Sequence, residues 1–155
     1  SSDVCSSDLM NTRLRIAALV TLLMTGAAQA AEFIDVYRDP NCGCCEEWIK
    51  YLEANDFSVR DHVEPNMSEV KQRLGVAPHL ASCHTAMIGG KFVEGHVPVA
   101  QILDLKNHPE LVGVAVPGMV SGSPGMEYDS TRQPYQVIGL TDSGTDRVIA
   151  DYPGN

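Results

Sequence analysis

Three cysteines of this sequence lie within four residues, in the motif Cys42-Gly43-Cys44-Cys45, and another cysteine, Cys83, lies downstream. Cys44 and Cys45 are adjacent, and a disulfide bond between adjacent residues is strained. Three thiols so close together are poorly spaced to connect distant parts of a fold. The spacing therefore indicates a chemical site, either a redox-active thiol pair or a metal site.

Cys42 and Cys45 have the C-x-x-C spacing of redox-active thiol pairs, and they lie where a predicted strand is followed by a predicted helix. The free N–H groups and the partial positive charge of a helix N-terminus stabilise an ionised sulfur. A thiolate attacks disulfides, and it is also the form of cysteine that binds metals. The position of the pair therefore does not by itself distinguish redox chemistry from metal binding.

Cys44 and Cys83 favour a metal site. A simple dithiol enzyme needs no third sulfur, and in the fold predicted below Cys83 lies in a loop beside the N-terminus of the first helix. Four thiolates can hold one tetrahedral zinc ion, but the C-x-C-C spacing makes it difficult for three clustered thiolates to reach a single ion. Bridging thiolates that hold several copper(I) ions suit short spacings, and soft sulfur selects copper(I). We therefore expect copper(I) to be bound by the thiolates of Cys42, Cys44, Cys45 and Cys83.

Two other functions remain open. In a thiol–disulfide or copper-redox oxidoreductase, Cys42 would be the nucleophile and Cys45 the resolving thiol, with Cys44 and Cys83 tuning the pair or storing electrons. In a purely structural role, the cysteines would form disulfides or a zinc site. The sequence therefore leaves undecided whether the protein is an enzyme.

Softer ligands accompany the cysteines along the chain. His84 directly follows Cys83, His96 follows a predicted hairpin, and Met119 and Met126 lie in a loop rich in glycine and proline. Imidazole and thioether groups are both copper ligands, so we expect these four residues to assist the thiolates as auxiliary ligands or as groups behind them. Surface positions are expected for the other histidines, which are His62, His79 and His108.

The position of His84 raises a geometric question. If Thr85 begins a strand, neighbouring side chains point to opposite faces of the sheet. Cys83 and His84 then face the same site only if the chain still twists before the strand begins.

Alternating strands and helices are predicted around these residues. The strands are enriched in β-branched and aromatic residues, and the helices have apolar residues at helical spacing. The predicted elements, in chain order, begin with a strand at 33–37, a helix from Cys45 to about Asn55, a strand at 57–63, and a helix from a capping box at 66–69 to Leu74. They continue with strands at 85–88 and 91–94 around Gly89-Gly90, and with a helix that has Pro98 in its first turn and carries Val99, Ile102 and Leu103 on one face.

This order of elements is that of a thioredoxin-like fold, an α/β domain in which helices flank a central mixed sheet. Further along, residues 116–126 contain several glycines, prolines and methionines, which predict an ordered loop. A closing hairpin is predicted from strands at 135–140 and 147–150. We therefore expect one α/β domain extended by a Gly/Pro/Met loop and a C-terminal hairpin.

Residues 1–30 are predicted to lie outside the folded domain. Residues 1–9, which include Cys5, have no basic residue and no hydrophobic pattern, so we regard them as a non-native leader or an assembly scar. Residues 10–30 have the basic, apolar and A-x-A regions of a secretory signal peptide, and the apolar run is too short to span a bilayer. The mature domain, 31–155, is therefore expected in an exported, oxidising compartment, without stable membrane insertion.

The chain carries a formal net charge of −9. Such acidity argues against nucleic acid as a partner and is favourable for attracting cations. The sequence also contains no Gly-rich phosphate loop and no H-E-x-x-H motif. These features leave the cysteines as the main indication of function.

Five short stretches can be taken together: Cys42 to Cys45, Ser82 to Ala86, Glu94 to Pro98, Ala115 to Met119 and Gly122 to Glu127. In this order they resemble the periplasmic CopG-type copper-resistance proteins, a thioredoxin-like family of unknown function with a CxCC motif. The resemblance covers essentially the whole mature chain. It implies a thioredoxin-like fold, a copper site on the four cysteines, a periplasmic location, and copper-export or copper-chaperone proteins as partners. It leaves open whether the bound copper is also oxidised or reduced.

Overall fold

The structure is a computed structural model that describes residues 32–155. The predicted leader, 1–9, and the predicted signal peptide, 10–30, lie outside the described residues. Within residues 32–155, no helix combines the length and the apolar character needed to cross a bilayer.

Within the described residues, seven strands form one mixed sheet in the order β2-β1-β3-β4-β5-β6-β7. Two neighbouring pairs are parallel, β1 with β2 and β4 with β5, and the other pairs are antiparallel. The strands are β1 Glu32–Arg38, β2 Phe57–Val63, β3 Thr85–Ile88, β4 Lys91–Glu94, β5 Leu111–Ala115, β6 Tyr135–Thr141 and β7 Asp146–Tyr152.

The same part of the chain contains three α-helices and two short 3₁₀ turns that pack with this sheet. The mixed α/β architecture predicted from the sequence is therefore confirmed. The helices are α1 Gly43–Glu53, α2 Met67–Arg73 and α3 Val99–Asp104, and the 3₁₀ turns are Pro78–Leu80 and Leu105–Asn107.

Helix α1 carries the cysteine motif and packs its apolar side on the sheet. Cys45, Trp48, Ile49 and Leu52 are all buried, as their helical spacing predicted. The last three belong to the main core, together with residues of β1 such as Ile34. This packing fixes the first turn of α1, and with it the cysteines, at one end of the sheet.

Helix α2 and the β3–β4 hairpin follow their local sequence signals. Asn66 caps α2, and its side chain accepts a hydrogen bond from the Glu69 amide at 3.4 Å. Gly89 and Gly90 have φ values of 54° and 80°, as a two-residue hairpin turn of type I′ requires. The predicted hairpin is therefore confirmed, and the predicted capping box is confirmed in its Asn66 half. The Glu69 carboxylate accepts a hydrogen bond from the Asn66 side chain, at 3.3 Å, rather than from the Asn66 backbone amide.

The apolar face predicted for α3 is buried at two of its three residues. Val99 and Ile102 are buried, but Leu103 is 40% exposed, and Leu105 is buried in its place. The helix ends at Asp104 and tightens into a 3₁₀ turn. Because a 3₁₀ turn has three residues per turn, the buried positions recur at every third residue, which selects Leu105 rather than Leu103.

Strand β5 was not predicted from the sequence. It lies parallel to β4 and antiparallel to β6, so that it joins the C-terminal hairpin to the rest of the sheet. The hairpin itself is present as predicted, with both strands somewhat longer than the sequence indicated. Residues 116–126, between β5 and β6, contain no helix or strand, which confirms the predicted loop.

Candidate metal centre

A tight turn leads the chain from β1 to the cysteine motif. The Asp39 carboxylate accepts a hydrogen bond from the Asn41 amide at 2.8 Å, and the Asp39 carbonyl accepts one from the Cys42 amide at 3.1 Å. Pro40, between them, favours the φ value that such a turn needs. Cys42 therefore occupies the N-cap position of α1, without a side-chain capping hydrogen bond, and Cys44 and Cys45 lie in the first helical turn.

Cys83 reaches the same place from a different segment. It lies at a bend just before β3, and β3 is the antiparallel neighbour of β1. The start of β3 therefore lies at the sheet end where β1 leads into α1. The sulfur atoms of the four predicted ligands all lie within 4.8 Å of one another: Cys42, Cys44, Cys45 and Cys83.

The four sulfurs are in two oxidation states. Cys42 and Cys45 are joined by a disulfide bond with a Cα–Cα distance of 5.3 Å, whereas Cys44 and Cys83 are free. The Sγ of Cys44 lies 3.5 Å from that of Cys42 and 4.0 Å from that of Cys83. The Cys44 sulfur therefore lies within contact distance of both the disulfide and the Cys83 thiol.

Two histidine rings contact the Cys83 sulfur. The Nε2 of His96 lies 3.1 Å from this sulfur, and the Nδ1 of His84 lies 3.3 Å from it. The bend at Cys83 answers the geometric question raised by the sequence, because both Cys83 and His84 face the site although Thr85 begins β3. Cys83, His84 and His96 thus form a second group of mutually close donor atoms that overlaps the first.

The ring of His96 is held in a definite tautomer. It is fully buried, and its Nδ1 donates a hydrogen bond to the Pro124 carbonyl at 2.8 Å. Because a neutral imidazole has one N–H, Nε2 carries the lone pair and directs it at Cys83. A histidine whose other nitrogen is fixed in this way is typical of metal ligands.

The ring of His84 is buried on the other side of the Cys83 sulfur. Its centroid lies 4.3 Å from that of the Trp48 ring and 5.0 Å from that of His96. Its Nε2 has no hydrogen-bond partner among the residues that the structure describes. The two nitrogens of this ring therefore have very different surroundings.

Burial favours uncharged forms of these groups when no metal is bound. Burial raises the pKa of Cys83 to about 12, and the neighbouring thiol of Cys44 adds to this increase. Burial also lowers the pKa of His96, and it lowers that of His84 well below the ordinary value, with a further decrease from His96 and Lys71. The metal-free site is therefore a neutral thiol between neutral imidazoles.

The two predicted methionines have different positions. Met126 is buried and packs with Cys44 and Cys45. Met119 is 56% exposed and lies at the mouth of the site. The loop between them approaches α1 closely at Gly125, where a Cβ atom would lie 2.7 Å from the backbone nitrogen of Trp48.

The site opens to solvent through a cavity of about 680 Å³. Cys42, Cys44 and Cys83 line this cavity, together with the acidic residue Glu47 and the exposed Tyr128. Cys45 is fully buried behind them. Cys42 is thus the half of the disulfide that solvent or a partner can reach.

A buried charged residue that sequence reasoning missed holds the segment with Cys83. The Glu94 carboxylate accepts hydrogen bonds from the Ser82 amide and the Thr85 hydroxyl, both at 2.6 Å, and it pairs with the Lys71 ammonium at 2.5 Å. These contacts fix the chain on both sides of Cys83. The sequence signal for it was weak: a glutamate that directly follows the apolar residues Phe92 and Val93 of β4.

The other histidines lie outside the centre, at the surface positions predicted for them. Each is partly exposed and lies beside an aspartate, with ring nitrogen to carboxylate distances of 2.8 to 3.0 Å. The pairs are His62 with Asp35, His79 with Asp146, and His108 with Asp104.

Comparisons with known proteins relate the chain to two solved structures, titled "Copper resistance protein copG- Form 2" and "Copper resistance protein copG- Form 1". Both are 61% identical to this chain, with a TM-score of 0.78. The matches cover 79% and 80% of this chain and 99% of each of those chains. A family model described as "Protein of unknown function, DUF411" matches residues 80–126. No curated protein matches the chain.

Proposed function

The chain belongs to the CopG family of copper resistance proteins, and from this we propose that it is a periplasmic copper(I)-binding protein for copper resistance. Thiolates of the four clustered cysteines bind the copper. In this proposal, residues 10–30 direct export and 31–155 form the mature copper-binding domain.

The observation that carries the proposal is the convergence of four sulfur atoms within 4.8 Å. Thiolates are soft ligands, and soft ligands select copper(I). Copper(I) needs few ligands, so four thiolates supply donors for more than one ion. A multinuclear cluster in which Cys44 bridges ions is supported by the short distances from its sulfur to those of Cys42 and Cys83.

The disulfide links copper loading to reduction. Two of the four sulfurs are bonded to each other in the oxidised protein. Two electrons and two protons convert this bond into the thiols of Cys42 and Cys45, which then lose their protons to bind metal. Full copper loading therefore requires reduced protein.

The contacts support some of the predicted auxiliary copper ligands more than others. His96 directs a lone pair at the Cys83 sulfur, and Met126 packs against Cys44 and Cys45. We propose both as ligands that complete the cluster. Met119, exposed at the mouth, would bind copper as it arrives from a copper-chaperone protein or leaves to a copper-export protein.

We also propose that the domain is thioredoxin-like. The support is the arrangement of β1 to β4, where β1 and β2 are parallel, β3 is antiparallel to β1, and β4 is antiparallel to β3. Strands β5 to β7 extend this arrangement beyond the predicted core.

A second candidate function is a thiol–disulfide or copper-redox oxidoreductase. It is favoured by the disulfide at the N-terminus of α1, in which Cys42 is accessible and Cys45 is buried. In the reduced protein, the thiolate of Cys42 would attack a substrate disulfide, forming a mixed disulfide and releasing one substrate thiolate. The thiolate of Cys45 would then attack the Cys42 sulfur, which releases the second substrate thiolate and closes the Cys42–Cys45 disulfide.

The Cys44→Ser variant separates the two functions, since Cys44 belongs to the cluster but not to the disulfide. We expect this variant to lose copper(I), and we expect neither it nor the wild type to catalyse disulfide exchange. Copper would be measured by elemental analysis of reduced protein, with His79→Gln as a surface control. Exchange activity that survives in Cys44→Ser, with copper lost, would instead favour the oxidoreductase.

A further inference from the structure

The two nitrogens of the His84 ring have unequal surroundings, and this decides where its proton lies. Nδ1 lies 3.3 Å from the Cys83 sulfur, and Nε2 is buried without a partner among the described residues. From this contrast we infer that His84 is not a copper ligand but a positioning residue, which donates its Nδ1–H to the Cys83 sulfur. The inference rests on the proposed copper site.

Proton placement supports the donor role. A neutral imidazole has a single N–H. If the proton were on Nε2, it would be a buried donor without an acceptor, and such groups are rare and destabilising. With the proton on Nδ1, the N–H reaches the sulfur and only a lone pair is left unpaired. The nitrogen that faces the site then has no lone pair for a metal.

His96 has the opposite polarity toward the same sulfur. Its Nδ1–H is used by the Pro124 carbonyl, so its Nε2 presents a lone pair to Cys83. In the reduced, metal-free protein, the Cys83 S–H donates to His96 while the sulfur accepts from His84. The result is one directed chain of hydrogen bonds, from His84 through Cys83 and His96 to the Pro124 carbonyl.

Copper binding breaks only the middle hydrogen bond of this chain, from Cys83 to His96. When Cys83 loses its proton, the lone pair of His96 is released and can bind the metal. The N–H of His84 stays on the sulfur, and a hydrogen bond to a thiolate is stronger than one to a thiol. Hydrogen bonds to a ligating cysteine sulfur tune the potential of the metal. By drawing electron density from the sulfur, His84 stabilises the reduced, copper(I) state.

The surroundings of His84 suit this role. The ring is fully buried and packs against Trp48, which fixes its orientation toward Cys83. A ring so confined can hold a hydrogen bond in place but has little freedom to move toward an ion.

Nitrogen NMR of wild-type protein labelled in its histidine rings tests the inference directly, because copper(I) is diamagnetic. We expect His84 to be the Nδ1–H tautomer in the reduced protein both before and after copper(I) is added, and we expect a copper-induced shift at Nε2 of His96. An Nε2–H tautomer for His84, or loss of the proton on its Nδ1 when copper(I) is added, would overturn the inference. The spectrum without copper decides the tautomer even if the proposed copper function fails.

Two variants give an independent readout. His84→Phe keeps an aromatic ring against Trp48 but removes the donor, and His84→Gln restores an N–H. We expect both variants to retain the wild-type copper count. The reduction potential of the bound copper should be lower in His84→Phe than in the wild type, and it should return toward the wild-type value in His84→Gln. Loss of copper in both variants, to the extent seen in His96→Phe, would identify His84 as a ligand. The NMR result stands if His84→Phe fails to fold.

Discussion

The sulfur of Cys44, in the first turn of α1, lies 4.0 Å from the sulfur of Cys83, which precedes β3. These two thiols come from different elements and are both free, whereas their neighbours form a disulfide. The contact therefore joins two segments of the chain into one cluster without a covalent bond. A bound metal would complete this connection.

Reduced Cys83→Ser is expected to bind copper(I) more weakly than the reduced wild type. The oxidised variant is expected to keep the Cys42–Cys45 disulfide, because Cys83 takes no part in that bond. Loss of a residue that hydrogen-bonds to a metal ligand typically weakens metal binding about ten- to hundredfold. Loss of a ligand itself should weaken copper(I) binding by more than that. A competition titration with a chromophoric copper(I) chelator measures the affinity, and thiol titration checks the disulfide. Unchanged affinity would remove Cys83 from the site.

Glu94→Gln should destabilise the protein, because the largely buried ammonium of Lys71 then has no carboxylate to pair with. Breaking a buried pair costs about 3–5 kcal/mol. Urea unfolding measures this cost. The double variant Glu94→Gln with Lys71→Met should recover much of the loss, since no unpaired charge remains, and equal stability of the single and double variants would contradict the account.

The same Glu94→Gln variant should loosen the segment that holds Cys83, because the Ser82 amide and the Thr85 hydroxyl both donate to this carboxylate. Cys83 should then react faster with iodoacetamide than in the wild type at the same pH. Peptide mass spectrometry after timed alkylation follows this cysteine individually. An unchanged rate would mean that Glu94 contributes to stability alone.

Alkylation of Cys83 in the oxidised, metal-free protein should keep accelerating as pH rises. Burial raises the pKa of this thiol to about 12. Below that pH the reactive thiolate is a minor species, and its fraction grows about tenfold for each pH unit. A rate measured from pH 7 to 10 should therefore show no plateau, and a plateau near pH 8 or 9 would show an ordinary thiol.

Gly125→Ala should destabilise the protein more than Gly118→Ala does. Both glycines have positive φ values, 80° and 75°, so alanine pays about 1–2 kcal/mol of backbone strain at either position. At Gly125 the added Cβ also meets the Trp48 backbone, whereas at Gly118 nothing lies within 4 Å. Urea unfolding of both variants tests this difference. Equal losses would mean that the loop is not packed on α1 as described.

Much of the fold was predictable because its signals are local. The helix cap at Asn66, the turn at Gly89 and Gly90, and the apolar spacing around Trp48 each depend on residues close in sequence. Strand β5 was missed because Leu111–Ala115 is short, contains a glycine, and is stabilised by pairing with β4 and β6. Such pairing is tertiary and leaves little trace in one segment.

The candidate site was predictable in composition and less so in geometry. The spacing of Cys42 and Cys45 places both at a helix start, and element order brings Cys83 beside them. The bend that turns His84 inward could not be predicted from the sequence, because it is held by groups from other segments, such as Glu94. The orientation of His96 likewise depends on the Pro124 carbonyl, far along the chain.

The most direct test of the central claim is a copper count and a free-thiol count on the same sample of reduced protein, by native mass spectrometry and thiol titration after anaerobic loading with copper(I). We expect several copper(I) ions per monomer when Cys42, Cys44, Cys45 and Cys83 are all reduced, and a lower count when Cys42 and Cys45 form their disulfide. No retained copper in protein with all four thiols shown to be reduced would contradict the account.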